Sequence, residues 1–217
     1  MARSTKLTAG SLIFWDVDTQ FDFIHPDGKL YVGGAESIIE NLRRLTDHAH
    51  AHGIRIVASA DDHVMSDDEI STDPDFETTY PPHCIHGTPG QAKIKETTLR
   101  EPLVIEPSLL DDVAGKVQSH DGDILIHKRF FDVFTNENTN KIIDVLSPDE
   151  IVLYGVALDV CNRFAVEGIL ARRTDIHISV VTDAVKAIDR ARGDALLKDW
   201  STRGVGLIDT AAALERI

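Results

Sequence analysis

The sequence has few of the features that mark specialised classes of protein. Its 217 residues include only two cysteines, which argues against a disulfide framework and favours a reducing compartment. No apolar run approaches the roughly 20 residues that a transmembrane helix needs. The first ten residues, MARSTKLTAG, are too short and too polar to predict a secretory signal. These absences predict a cytoplasmic protein with no membrane partner.

Positive charge is also scarce. Lys and Arg number 22 against 36 Asp and Glu, so the formal net charge is −14. This balance disfavours nucleic acids and anionic membranes as partners, because both present negative charge themselves. The chain is long enough for a sizeable core, and it contains no internal repeat or low-complexity segment. We therefore predict one domain over residues 1–217.

Apolar runs typical of buried strands alternate with helical patterns along the chain. This alternation predicts an α/β fold with a mostly parallel sheet and helices on both faces. About forty residues, 60–101, show no clear periodicity, and such long segments are often functional. The predicted strands are 11–17, 54–59, 103–105, 123–127, 151–154, 176–182 and 205–208, and the predicted helices are 35–52, 136–146, one that follows residue 159, 189–203 and 210–216.

Cys161 stands just after one of these strands. The apolar run 151–154 leads into a turn of small residues, and Asp159 is a suitable N-cap for the helix that follows. Cys161 is then in the first helical turn, where free N–H groups and the helix dipole favour a thiolate. The alternative is a buried, inert cysteine.

Three further residues with useful chemistry also follow apolar strands directly. They are Asp18, Asp61 and Lys128, and parallel topology brings them to one edge of the sheet with Cys161. A cysteine nucleophile needs a proton acceptor and a group that stabilises its anion. Asp18 suits the first task and Lys128 the second. The alternative is a structural Asp–Lys ion pair.

The aperiodic segment carries residues typical of a metal site. Asp61, His63 and His83 offer one carboxylate and two imidazoles, which suits zinc, iron or manganese with positions left open for water or substrate. Cys84 and His86 lie close enough in sequence to leave the ligand set open. The alternative is a polar surface loop.

Two other groups flank these candidates. The acidic run 67–69 is expected to be solvated, although one member could complete a metal shell. Several aromatic residues could form a wall for a flat ring substrate, with core packing as the alternative. These aromatic residues are Phe23, Tyr80, Phe130, Phe131 and Phe134.

Four motifs in this order resemble those of the isochorismatase-like cysteine hydrolase superfamily, and within it those of the nicotinamidases. VDTQFDF (17–23) is similar to the superfamily's strand-end Asp-x-Gln-x-Asp-Phe. ADDH (60–63) and PPHCIHGTPG (81–90) together resemble the nicotinamidase metal motifs, which isochorismatases lack. HKRFFDVF (127–134) carries the lysine and YGVALDVC (154–161) the cysteine.

The resemblance implies a Rossmann-like three-layer sandwich and a thioester mechanism. It also implies a cis peptide bond before Ala157. Transferred position by position, it assigns catalysis to Asp18, Lys128 and Cys161, and an oxyanion hole to the N–H groups of Ala157 and Cys161. It assigns ligation of a divalent metal (zinc, iron or manganese) to Asp61, His63 and His83. It assigns substrate contact to Phe23, Tyr80 and Phe134.

The expected function is that of a metal-dependent amidohydrolase. Its substrate would be a small amide, and the expected reaction converts nicotinamide to nicotinate and ammonia. This reaction would belong to pyridine nucleotide salvage, and the enzyme is expected to be a homo-oligomer. One alternative is a related hydrolase of this fold that acts on another small amide or on isochorismate. Another is a non-catalytic member that only binds a small molecule or a partner. The presence of Asp18, Lys128 and Cys161 together argues against the non-catalytic alternative.

Overall fold

The computed structural model describes residues 11–217, and its centre is a single sheet of seven strands. The strands are β1 (Ser11–Val17), β2 (Arg55–Asp61), β3 (Leu103–Ile105), β4 (Ile124–Lys128), β5 (Pro148–Val156), β6 (His177–Lys186) and β7 (Gly206–Ile208). They lie in the order β3-β4-β2-β1-β5-β6-β7, and every neighbouring pair is parallel. The predicted α/β fold is confirmed.

Helices connect the strands. They are α1 (Phe21–Ile24), α2 (Ile39–His52), α3 (Val113–Ser119), α4 (Thr139–Leu146), α5 (Cys161–Arg172), α6 (Arg190–Thr202) and α7 (Thr210–Ala213), with short 3-10 helices at Ala35–Ile38, Lys95–Thr97 and Val133–Thr135. The sequence pattern does not predict α3, because Gly115 lies inside its seven residues and weakens the helical signal. The Asp112 side chain starts α3 by accepting a hydrogen bond from the Gly115 N–H.

The helices cover both faces of the sheet. On one face, Phe14 of β1 belongs to the same buried cluster as Leu42 of α2. On the other, its neighbour Trp15 shares a cluster with Ile142 of α4 and Trp200 of α6. This alternation along one strand follows from the two-residue period of strands, and it gives the expected three-layer sandwich.

The parallel register places the carboxyl ends of the central strands together. Asp61 at the end of β2 is paired directly with Lys128 at the end of β4. On the other side of β1, Val17 is paired with Gly155 of β5. A Cβ at Gly155 would lie 2.0 Å from the Val17 carbonyl oxygen, so only glycine permits this close approach. Open α/β sheets carry their sites at this edge.

The segment between β2 and β3 has little regular structure, as expected. Isolated bridges join His63 to Ile85 and Ile70 to Tyr80, which fold it back over the end of the sheet. Residues 1–10, on which the prediction of no secretory signal rests, lie outside the described residues. Within residues 11–217, no helix combines the length and apolar character needed to cross a membrane.

Candidate active site

The structure brings Asp18, Lys128 and Cys161 together at the edge of the sheet. The Lys128 ammonium lies 2.9 Å from Asp18 Oδ2 and 3.8 Å from Cys161 Sγ, and it also contacts the Asp61 carboxylate. Cys161 is the first residue of α5, in the predicted first turn. All three side chains are buried, so their charges interact with little screening by water.

Burial decides the protonation state of the cysteine. It raises the pKa of the Cys161 thiol well above the usual range, and Lys128 opposes this increase only in part. The helix terminus therefore does not by itself produce a thiolate. Burial would lower the pKa of Lys128, but Asp18 and Asp61 more than offset it and hold that pKa well above its ordinary value. The site thus combines a thiol and an ammonium whose pKa values are both raised.

Asp18, the predicted acceptor of the thiol proton, lies beside the same ammonium as Cys161. It directly follows β1 with a φ of 47°, a left-handed conformation that is uncommon outside glycine. Its Oδ1 accepts a hydrogen bond of 2.6 Å from the Ser59 hydroxyl. Its Oδ2 is buried and receives no hydrogen bond from any described residue, although it lies beside the Lys128 ammonium. This oxygen is therefore available as a proton acceptor.

The residues predicted to form the oxyanion hole lie where β5 leads into α5. The peptide bond between Val156 and Ala157 is cis, as the resemblance implies. The Ala157 carbonyl accepts hydrogen bonds from the N–H groups of Val160 (3.0 Å) and Asn162 (3.1 Å), which fixes the turn. Cys161 begins the helix, so its N–H has no acceptor within the helix.

Four side chains converge as a candidate metal site. His63 Nε2 and His83 Nε2 lie 3.8 and 3.7 Å from Asp61 Oδ2, and 3.9 and 3.8 Å from Glu69 Oε1. Ligand atoms around one ion at about 2.0–2.2 Å lie at roughly this spacing. Both Nε2 atoms are buried and lack a hydrogen-bond partner among the described residues, which is rare for buried polar atoms. The residues fit a divalent metal ion.

Neighbouring groups orient these candidate ligands. His83 Nδ1 lies 2.8 Å from the Pro81 carbonyl oxygen, and His63 Nδ1 lies 3.3 Å from Asp67 Oδ2. These contacts leave the Nε2 atoms for an ion, as is usual for metal-bound histidines. The Gln20 side-chain amide donates to the Asp61 carbonyl (2.8 Å) and accepts from the Asp61 N–H (2.7 Å).

The structure also resolves which nearby residues belong to the cluster. Glu69 is buried and joins it, whereas Asp68 is exposed, so the acidic run is only partly solvated. His86 Nδ1 instead lies 2.7 Å from Asp62 Oδ1, outside the cluster. Cys84 is also outside it, buried with its N–H donating to Asp22 Oδ2 at 2.7 Å.

A cavity beside Cys161 and the metal cluster has a mostly apolar wall. Phe23 and Tyr80 line it, as the resemblance implies. Phe134 does not. Its ring packs against Gly168, beneath the Arg172 guanidinium at 4.4 Å. The cavity lining therefore does not include Phe134, whereas Phe131, another of the candidate aromatic residues, does line it. The apolar and aromatic lining residues are Phe23, Leu30, Val32, Tyr80, Phe131, Ala157, Val160 and Ile188.

The expectation that Asp159 caps α5 is wrong. The residue before the helix is Val160, and no side chain caps this end. The Asp159 carboxylate instead accepts hydrogen bonds from the N–H groups of Ile188 (2.8 Å) and Asp189 (2.9 Å). These bonds hold the chain after β6 against the site, and they explain how Ile188 reaches the cavity wall.

Comparison with known proteins identifies the family of this chain. The chain matches the isochorismatase domain over residues 12–212. The nicotinamidase/pyrazinamidase of Mycobacterium tuberculosis is 27% identical over 198 residues, which cover 88% of this chain and 95% of the relative. The crystal structure of the pyrazinamidase of Pyrococcus horikoshii in complex with zinc is 21% identical with a TM-score of 0.72, covering 92% of this chain and 99% of that one.

A second solved structure, the pyrazinamidase/nicotinamidase from Streptococcus mutans, is 23% identical with a TM-score of 0.70. The matched region covers 91% of this chain and 100% of the Streptococcus mutans chain. At these identities the structural likeness establishes the fold, while the domain match extends over nearly the whole sequence. The chain therefore belongs to the isochorismatase domain family and is a hydrolase of that family.

Proposed function

We propose that this protein is a metal-dependent cysteine amidohydrolase that converts nicotinamide to nicotinate and ammonia. The observation that carries the proposal is a shared cavity. Cys161 lines the same apolar pocket as Asp61, Glu69 and His83, and the Lys128 ammonium lies 3.8 Å from its sulfur. The name of the Mycobacterium tuberculosis relative, nicotinamidase/pyrazinamidase, supports the same reaction.

The first half of the reaction forms a thioester. Asp18 Oδ2 accepts the proton of the Cys161 thiol, and Lys128 stabilises the thiolate that results. The sulfur attacks the amide carbon, and the N–H groups of Ala157 and Cys161 hold the oxyanion. Asp18 then donates its proton to the leaving nitrogen, the C–N bond breaks and ammonia departs.

The second half reverses the proton transfer. Asp18 accepts a proton from water, whose oxygen attacks the thioester carbon. The C–S bond breaks, the carboxylic acid leaves, and the proton returns to Cys161. Burial makes the thiolate costly at rest, so a base that returns its proton in each cycle suits this site.

The four-residue cluster supports a divalent metal, which we assign to zinc, iron or manganese. A metal held by Asp61, His63, Glu69 and His83 would supply a Lewis acid for the pyridine nitrogen and so orient the ring. The residues themselves provide a fixed, buried arrangement of imidazole and carboxylate groups at one end of the cavity.

The cavity wall favours a neutral, flat substrate. Phe23, Tyr80 and Phe131 supply aromatic surface. No Lys or Arg occurs among the described lining residues, so apart from the proposed metal ion the wall offers no fixed cation for a carboxylate on the substrate. This disfavours maleamate and isochorismate, which both carry carboxylates, relative to nicotinamide. A buried carboxylate without a partner is costly.

An ammonia-release assay tests the proposal. Purified protein would be supplied with nicotinamide, pyrazinamide, benzamide, maleamate, biuret and carbamoyl amides, and isochorismate would be assayed separately. We expect the highest kcat/KM for nicotinamide or pyrazinamide and no turnover by Cys161→Ala. A higher value for a carboxylate-bearing amide, or turnover by Cys161→Ala, would contradict the proposal.

The remaining expectations from the sequence stay predictions. They are one domain over residues 1–217, a cytoplasmic homo-oligomer, a place in pyridine nucleotide salvage, and no nucleic-acid or membrane partner. Size-exclusion chromatography with light scattering measures the oligomeric state directly.

A further inference from the structure

A second buried aspartate–lysine pair adjoins the site. Asp16 lies in β1, two residues before Asp18, and its side chain is completely buried. Lys93, from the long segment after β2, places Nζ 2.9 Å from Asp16 Oδ2, and its side chain is only 10% exposed. The other residues of central parallel strands are mostly apolar, because both faces are covered. A charge at this position therefore needs a specific explanation.

Thr19 connects this pair to Asp18. Its hydroxyl accepts a hydrogen bond of 2.7 Å from Lys93 Nζ and donates one of 2.8 Å to Asp16 Oδ1. The Thr97 hydroxyl lies 2.7 Å from the Thr19 hydroxyl oxygen. The network thus fixes the residues on both sides of Asp18, whose φ is 47°. A non-glycine residue keeps such a conformation only where its surroundings impose it.

The charges give a second, independent argument. Burial raises the pKa of Asp16, Lys93 opposes this increase, and the negative charge of Asp18 adds to it. The two carboxylates therefore act on each other through the buried end of β1. Lys93 neutralises Asp16 in the same way that Lys128 neutralises Asp18.

We propose that Lys93 and Asp16 are positioning residues for the hydrolysis. Through Thr19 they hold Asp18 in its left-handed conformation, and Lys93 prevents Asp16 from presenting an unpaired negative charge to the catalytic group. The inference rests on the proposed function, since it depends on the role given there to Asp18. Neither residue lines the cavity, so both act through Asp18 rather than on the substrate.

Lys93→Met and the double variant Asp16→Asn/Lys93→Met test this inference. For each protein, kcat and KM are measured with nicotinamide, and the alkylation rate of Cys161 by iodoacetamide is followed by mass spectrometry. We expect Lys93→Met to lower kcat and the alkylation rate at least about tenfold, a fraction of a general-base contribution, with KM changed less than about threefold. The double variant removes both charges, so it should recover to within about threefold of wild type.

The double variant separates positioning from simple structural support. If the pair only contributes packing, the second substitution adds damage, and the double variant is at least as slow as Lys93→Met. Lys95→Met is the matched control, because Lys95 is 89% exposed and two residues away. It should leave both rates unchanged. Unchanged rates in Lys93→Met would also overturn the inference.

Two further measurements keep the test decisive. If Lys93→Met does not fold, Thr97→Val retains both charges and removes one hydrogen-bonding group from Thr19. It should then lower kcat with KM unchanged, and an unchanged kcat would refute the inference. If the wild type releases no ammonia from any amide, the proposed function fails. The alkylation rates still decide the positioning inference, because they need no substrate.

Discussion

Lys128→Met should damage both stability and turnover. The ammonium is completely buried, lies 2.9 Å from Asp18 Oδ2 and contacts Asp61, so the substitution removes one cation from two carboxylates. Methionine fills much of the same volume, which limits the effect of a cavity. The expected loss is therefore mainly electrostatic.

The magnitude follows from the number of charges left unpaired. Removing one partner from a buried ion pair costs about 3–5 kcal/mol. With a urea m-value of about 2 kcal/mol/M, the unfolding midpoint should fall by roughly 1.5–2.5 M. Turnover should fall at least about 10²-fold, because in the proposed mechanism Lys128 stabilises the thiolate and holds Asp18. Urea unfolding and ammonia release measure the two effects on the same protein.

Asp18→Asn separates the two contributions when it is combined with Lys128→Met. The double variant lacks one of the two unpaired carboxylates, so it should regain part of the lost free energy of unfolding. Its turnover should fall much less than the product of the two single losses, because the residues act as a unit. A loss below about 1 kcal/mol in Lys128→Met, or turnover losses that simply multiply, would refute this reasoning.

Three other predictions concern the cysteine, the metal cluster and a surface ion pair. Cys161→Ala should abolish ammonia release with little change in the melting temperature. Cys84→Ala is the control and should lose far less activity. Substantial turnover by Cys161→Ala would show that Cys161 is not the nucleophile. A chelator or His63→Ala should remove a bound divalent ion, which elemental analysis measures. Either change should lower the rate with nicotinamide more than the rate with benzamide. Equal nicotinamide rates with and without metal would contradict the proposal that the metal orients the ring. Glu167 has its pKa lowered by the Arg203 guanidinium, so Glu167→Gln should destabilise the protein at pH 7 by less than about 1 kcal/mol, since the pair is partly exposed. That difference should shrink as the pH falls below about 4.3, where the unfolded carboxyl takes up its proton, and a difference that persists at pH 2.5 in urea unfolding would show that the charge is not its cause.

The convergence of the candidate catalytic residues could be predicted from the sequence because each comes after an apolar strand. Asp18, Lys128 and Cys161 need only the topology of a parallel sheet to meet at one edge. Their proposed roles as base, cation and nucleophile rest on residue chemistry and on the motif resemblance, and these roles stay predictions. All seven strands were predictable as apolar runs, although β5 and β6 extend beyond their predicted limits of 151–154 and 176–182.

The residues that sequence reasoning misplaced depend on the paths of irregular segments. Glu69 is buried because the loop folds back through the bridge between Ile70 and Tyr80, which no local pattern records. The sequence offered one signal for this burial, the apolar Ile70 directly after the acidic run 67–69. Asp159 looks like a helix cap, but its partners are backbone groups about thirty residues later. Such contacts become visible only when the chain is folded.

The residues that line the cavity belong to two kinds of structure. Asp61 and Cys161 stand where core strands end, whereas Leu30, Tyr80 and Ile188 come from three separate connecting segments. Exposed connections tolerate replacement far better than a packed sheet does. Substrate preference can therefore drift from one connection at a time while the hydrolytic apparatus is inherited intact. To obtain an enzyme for a different amide, we expect exchange of the loop that carries Leu30, Tyr80 or Ile188 to succeed more often than mutation of the sheet.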